Sequence, residues 1–400
     1  MGAGEGLSHG THYAPRVSPH HIATPAPSSP MLLLHDHRVE TSERTVVSSA
    51  ALEGPGIPDG FRLELRWHGA DDSRVRDDAT PFVPVLGVLA SSLGADLTID
   101  AVVDRAAAQG AERTSAVLGA AYGRRPSVVN VVRPAARRRR HRAPRRRGLF
   151  FSRGVDSMSS LVTLGDQVDV LLGLDWVDLP YGSPSQADIW RSTCAAAVDL
   201  GIPLVRLTTN ARDVLDPVAS WNDTHGATLV SCALLAIGAG EVLISSSHRE
   251  ATAPVAHGGN RALLESFSTS CVSVRQVAAA PTRAEKCRLV ADDATASRWL
   301  KVCWEVEGDG NCGACSKCLL TMSCFDDVGR LDRVSAAFRA PLTAEAVVAL
   351  DLAGAAPGSI QVVADEVRDL GPGPVREAWE AVLRAAVVPV LGEYSPQLGH

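Results

Sequence analysis

The chain has 400 residues, 46% hydrophobic and 21% charged, with a formal net charge of −6. That length carries one large domain and a smaller one, or two of similar size, and the balance excludes both a disordered chain and a general attraction to nucleic acid or anionic membrane. No apolar run approaches the ~20 residues of a membrane helix, so no membrane partner is expected, and crowded cysteines without an export signal point to a reducing cytoplasm.

In chain order, residues 1–44 read as a disordered leader. The stretch up to Pro30 is rich in Gly, Ser, Pro and His and lacks the apolar centre of a secretory signal, and Met31 opens Leu32-Leu33-Leu34 as an alternative start. Residues 45–135 read as a small α+β unit. Within it, Phe61 to His68 alternates apolar and polar at period two, as a half-buried strand does. Pro81 to Leu93 and Ile99 to Leu118 read as helices, and Ser127 to Val132 as a short strand. Residues 136–147 form an arginine-rich loop, part of a run from Arg133 to Arg147 that also holds His141. Like charges at that density resist packing, and no aromatic interleaves to stack on bases, so a solvated loop is expected and a nucleic-acid partner is not.

From Gly148 the pattern becomes strand–helix alternation. Leu149 to Phe151, Val168 to Leu174, Leu204 to Leu207 and Glu241 to Ser245 have strand length, and Ser157 to Leu164, Gln186 to Leu200 and Thr224 to Ile237 read as helices between them. Apolar strands separated by helices predict an α/β fold with a parallel sheet flanked by helices, over residues 148–330. Ligands of such sheets sit at the carboxyl ends of the strands. Residues 331–400 read as a helical C-terminal region, with Thr343 to Ala353 and Val375 to Val388 split by the turn at 371–374.

The first strand of that region runs into Phe151-Ser152-Arg153-Gly154-Val155-Asp156-Ser157, and a helix follows. Small residues after a strand let backbone N–H groups converge on an anion, and the helix adds the positive end of its dipole. Ser152 and Ser157 are placed to donate to phosphate oxygens and Asp156 to hold magnesium.

Nine cysteines occur, and four of them, Cys303, Cys312, Cys315 and Cys318, fall within sixteen residues. Cys-X2-Cys-X2-Cys puts three thiolates on one tight turn, and Cys303 returns from the preceding segment to complete a tetrahedron suited to structural zinc; an iron–sulfur cluster is the alternative. Cys324 reads as a core residue. Cys194, Cys232 and Cys271 read as core cysteines or, in a sulfur-transfer enzyme, nucleophiles. Only Lys286, Lys301 and Lys317 are lysines among 39 basic residues, and all three lie in or near the cysteine cluster. Lys286 and Lys317 are therefore candidate phosphate contacts, set beside Arg283 and Glu285.

Ser152 to Ser157 resembles the Ser-Gly-Gly-X-Asp-Ser loop of the N-type (PP-loop) ATP pyrophosphatases, with Arg153 in place of the first glycine. The spacing Cys-X8-Cys-X2-Cys-X2-Cys resembles that of the 7-cyano-7-deazaguanine synthases of the same superfamily. The resemblance covers residues 148–325 and implies an adenine nucleotide alpha hydrolase-like fold that uses ATP, magnesium and zinc. It places Ser152, Arg153, Gly154, Val155, Asp156 and Ser157 at the phosphates, Gly173 and Asp175 near the adenine, and Asn210 and Ser246 at other strand ends. Trp221, His225 and His248 stand at further strand or helix ends. The implied reaction adenylates a small-molecule carboxylate or amide oxygen with release of AMP and pyrophosphate. A nitrogen nucleophile then attacks, with Ser152, Asp156, Ser157 and Lys286 as catalytic candidates. That describes a C–N ligase of secondary metabolism, working as a homodimer. Sulfur transfer to a small molecule or tRNA is one alternative, and an inactive nucleotide-binding scaffold, suggested by Arg153, is another.

Overall fold

A computed structural model of the protein describes residues 29–69, 76–135, 145–175, 184–247, 257–303, 305–306, 308–352 and 357–393. Its strands are β1 (Met31–Ser42), β2 (Thr45–Glu53), β3 (Arg62–His68), β4 (Asp96–Val103), β5 (Val129–Pro134), β6 (Arg146–Phe150), β7 (Val170–Leu174), β8 (Leu204–Thr209), β9 (Gly240–Ser245) and β10 (Val272–Val277). They make one sheet in the order β10-β9-β6-β7-β8-β3-β2-β1-β4-β5. Strands β10, β9, β6, β7 and β8 pair in parallel, as do β1 with β4 and β4 with β5. The joints β8·β3, β3·β2 and β2·β1 are antiparallel.

The helices are α1 (Val83–Leu93), α2 (Arg105–Tyr122), α3 (Val155–Leu164), α4 (Pro184–Leu200), α5 (Arg212–Leu215), α6 (Trp221–Ala236) and α7 (Arg261–Ser266). They continue as α8 (Arg283–Asp292), α9 (Ala294–Arg298), α10 (Ser316–Asp327), α11 (Leu331–Val334), α12 (Ala344–Val348), α13 (Pro357–Arg368) and α14 (Pro374–Glu393). Among the described residues, no helix is long and apolar enough to cross a membrane.

Side-chain alternation explains why the parallel half is buried on both faces. Phe150, Val170, Leu172, Val242 and Ile244 join one core with α1, α2 and α6, while their neighbours Leu149, Leu171 and Leu243 join a second with α3, α8 and α10. In β3 only one face is buried: Leu63, Leu65 and Trp67 enter the first core, and Arg62, Glu64, Arg66 and His68 between them stay partly exposed. The helical C-terminal region joins the second core through Trp379, which is fully buried and donates from Nε1 to Ser323 Oγ at 3.0 Å.

The expected α/β architecture with a mostly parallel sheet and a helical C-terminal region is present. Several boundaries change. Residues 31–42, assigned to the leader, form β1, because Leu32 and Leu34 alternate into the core; residues 1–28 lie outside the described residues. Residues 45–135 do not stand apart as a sheet of their own, since β3 pairs with β8 from Leu65↔Thr209 to His68↔Arg206. The helix expected from Ile99 begins only at Arg105: Leu97, Ile99, Ala101 and Val103 alternate inward as a strand, and Asp104 caps the helix that follows. The arginine run ends inside β6, where the Arg147 side chain meets Glu241 at 2.7 Å and its backbone N–H donates to Asp169; residues 136–144 lie outside the described residues. β2, β10, α5, α7, α8, α9, α10, α11 and α13 join the predicted elements, and the helix expected over Thr343 to Ala353 is realised only as α12.

Candidate functional site

Strand β6 ends at Phe150, and the chain turns through Ser152 and Arg153 into α3. Gly154 is the extended residue before that helix, which no side chain caps, and the first helical bond runs from Met158 N–H to the Gly154 carbonyl at 2.9 Å. The amides of the first turn therefore face the carboxyl end of the sheet, in the arrangement that favours an anion. Ser157 Oγ donates to the Gly154 carbonyl at 3.1 Å and lies 3.4 Å from Ser152 Oγ, so both hydroxyls converge on the turn. Val155 contributes only backbone here, its side chain being core.

Asp156 faces two cations. Arg283 Nη1 donates to Oδ2 at 2.8 Å and Lys286 Nζ to Oδ1 at 2.9 Å. Burial pushes this carboxyl up, but Arg283 and Lys286 more than reverse the effect and hold it at about 2. The ionised carboxylate spends two of its roughly four acceptor sites on these partners. Thr282 and Glu285 close a capping box at the start of α8, which sets Arg283 and Lys286, three residues apart, on the face toward Asp156. Lys286 also donates to the Ser246 carbonyl at 2.5 Å, tying the loop after β6 to the end of β9. Behind this group stands Glu366 of α13, whose Oε2 is 3.8 Å from Arg283 Nε; burial pushes its carboxyl up.

The four cysteines meet as their spacing predicts. Their sulfurs all lie within 4.8 Å of one another, with Cys303–Cys315 at 3.9 Å and Cys312–Cys318 at 3.8 Å. A tetrahedral ion with bonds of about 2.3 Å requires edges of about 3.8 Å, so one metal ion such as zinc fits. In an iron–sulfur cube each thiolate binds a different iron and stands farther from the others, which these separations do not match. Amides of Ala314, Cys315 and Cys318 donate to the sulfurs, and the Cys318 thiol beside Cys315 holds the Cys315 thiol below its usual range.

Asn311 builds the platform for this cluster. Fully buried, it accepts from the amides of Val302 and Cys303 at 2.7 and 3.1 Å and donates to the carbonyls of Leu300 and Ala337, both at 3.0 Å. Gly313 is required in the turn: its φ is +76°, and a Cβ there would lie 2.4 Å from the Ala340 carbonyl oxygen.

The resemblance places Arg153 at the phosphates, but its side chain is turned onto a carboxylate of the cysteine segment. Its φ is +62°, so the left-handed turn of a glycine is kept at a cost of about 1–2 kcal/mol. The side chain is 2% exposed, and its guanidinium forks onto Asp309 at 2.5 and 3.1 Å. Burial pushes the Asp309 carboxyl up, but Arg153, with Ser192 and Lys301, holds it below the usual carboxylate range. A side chain seated this way neither projects from the turn nor offers its charge to a phosphate.

The remaining expectations divide. Ser152, Gly154, Asp156, Ser157, Lys286 and Ser246 come together at one end of the sheet. Gly173 and Asp175 serve packing beside them: a Cβ on Gly173 would lie 2.7 Å from the Trp190 ring, and Asp175 pairs with Arg206 at 2.6 Å and accepts from Gln186 at 3.2 Å. Asn210 is spent on the sheet, accepting from Glu64 N–H and donating to the Arg62 carbonyl, both at 2.8 Å. His225 reaches the Trp221 carbonyl at 3.2 Å and packs edge-on to His257; His248 lies outside the described residues. Lys317 is exposed at the start of α10, and Lys301 is buried with Nζ on the Gly310 carbonyl at 2.5 Å. Burial pushes up the thiols of Cys232 and Cys194, the reverse of an activated nucleophile. Asp309, Asn311 and Glu366 carry weight that the sequence reading did not give them. The first two lie between Cys303 and Cys312, a visible cue, whereas nothing local marks Glu366.

No protein-family model matches this sequence, and no curated protein matches it.

Proposed function

We propose that the protein is an ATP-dependent ligase of the PP-loop type, acting on a small-molecule carboxylate or amide oxygen. The observation that carries this reading is the uncapped turn Ser152–Ser157 at the carboxyl end of β6, with Asp156 held ionised by Arg283 and Lys286. In the proposed reaction a substrate oxygen attacks the α-phosphorus of ATP, and the bond to the bridging oxygen of the diphosphate breaks. The departing pyrophosphate is received by the amides of Val155 to Ser157 and the hydroxyls of Ser152 and Ser157. A nitrogen nucleophile then adds to the activated carbon, loses a proton, and AMP leaves. Asp156 keeps acceptor sites for the magnesium that accompanies the nucleotide, and Lys286 with Arg283 fixes where that carboxylate stands.

The four cysteines would hold zinc as a closed structural site, without an open position for substrate. Its contribution is to brace the segment 303–318 over the loop after β6. The reading is tested by following AMP and pyrophosphate release over a broad panel of carboxylates with ammonia or simple amines. Substrate-dependent formation of both products, reduced at least about tenfold by Ser157→Ala, is expected from the loss of a hydroxyl at the leaving group. Absence of both products across the panel, together with absence of ATP binding, would refute it.

A further inference from the structure

The turn Ser152–Ser157 and the segment around Cys303 to Cys312 are joined at two points. The Arg153 guanidinium forks onto Asp309, and the Lys301 N–H donates to the Arg153 carbonyl at 3.1 Å, while Lys301 Nζ ties that residue to the segment through the Gly310 carbonyl at 2.5 Å. Asp309 stands on a loop anchored at both ends by cysteines of the cluster, so the place of its carboxylate depends on Cys303 and Cys312 being held. At the other end, Arg153 keeps a left-handed φ of +62° with its side chain 2% exposed. A glycine would adopt that φ without strain, but it would leave Asp309 without the guanidinium.

We infer that Arg153 and Asp309 are a positioning pair through which the metal on the four cysteines sets the conformation of the turn Ser152–Ser157. With the metal in place, Asp309 is presented to Arg153 and the turn is locked. When the metal leaves, the two cysteine anchors separate and Asp309 withdraws. The guanidinium, now without its carboxylate, leaves a seat that only an ion pair makes tolerable. The left-handed turn then loses what holds it. The proposed function supplies only the identity of the ligand that the turn would receive, and the coupling is a property of the nucleotide-free protein.

The test is hydrogen exchange on the full chain, followed by mass spectrometry of peptides spanning 151–157, with bound metal measured on each sample. Chelation of the wild type is expected to speed exchange in those peptides about tenfold, and metal-loaded Asp309→Asn to reproduce most of that change. In Arg153→Gly, chelation is expected to alter the same peptides less than about threefold, because the link is already cut. Peptides from α1 and β4 report whether chelation unfolds the whole chain; if it does, metal-loaded Asp309→Asn alone decides. Wild-type exchange rates in that variant would overturn the inference. Failure of ATP to bind any of these proteins would count against the proposed ligase and leave the exchange result standing.

Discussion

Replacing Asp156 by asparagine keeps the shape of the side chain and removes the charge that faces Arg283 and Lys286. Those partners, at 2.8 and 2.9 Å, take the carboxyl from the usual 3.8 to about 2 against the opposing effect of burial. At about 1.36 kcal/mol per pH unit, this favours the ionised form in the folded chain by about 2 kcal/mol. Asparagine stands in for the neutral acid, so Asp156→Asn is expected to lose about that much stability at pH 7. Because the folded value lies below the unfolded one, the contribution is whole above about pH 4 and is lost as pH falls toward 2. The gap between wild type and variant, from urea denaturation followed by tryptophan fluorescence, should narrow from about 2 kcal/mol at pH 7 to about 1 at pH 3. A gap that does not change with pH, or one below about 0.5 kcal/mol at pH 7, would refute the reasoning.

Three further outcomes are expected. Cys312→Ser should reduce bound zinc from about one ion per chain to a small fraction and lower the melting temperature, read by metal analysis and calorimetry. Gly313→Ala should cost about 2 kcal/mol or more, because its left-handed φ of +76° and the Ala340 carbonyl 2.4 Å from the new Cβ both oppose a side chain; melting temperature and metal content should fall together. Burial raises the Glu366 carboxyl above its usual range, so the folded chain retains that proton after the unfolded chain has lost it, and the associated stability is lost as pH rises above about 4.5. Glu366→Gln should therefore melt higher than wild type at pH 8 and no higher at pH 4, whereas a lower melting point at pH 8 would show an ionised Glu366 paired with Arg283.

Local pattern made most of the parallel half legible, because strands buried on both faces read as apolar runs whatever their partners. It failed where pairing is remote. Nothing near Leu65 announces that its strand will lie beside Thr209, so local pattern separates two units where the sheet is continuous. The polar residues that follow Leu34 hid β1, although Leu32 and Leu34 alternate into the core. At the site, the cysteine spacing constrains geometry strongly, since four sulfurs must reach one ion, and the structure brings them together. Arg153 was legible as a departure but its partner was not: an ion pair across 156 residues has no local signature, and only the fold brings Asp309 to it. Asn210, by contrast, looked like a ligand because it ends a strand, and its amide instead extends the pairing of β3.

What the turn at Gly154 holds decides the function. A crystal structure with magnesium and a non-hydrolysable ATP analogue should place the β- and γ-phosphates on the amides of Val155 to Ser157, with Arg153 still on Asp309. A triphosphate bound elsewhere, or a turn closed over by Arg153, would contradict the proposed function.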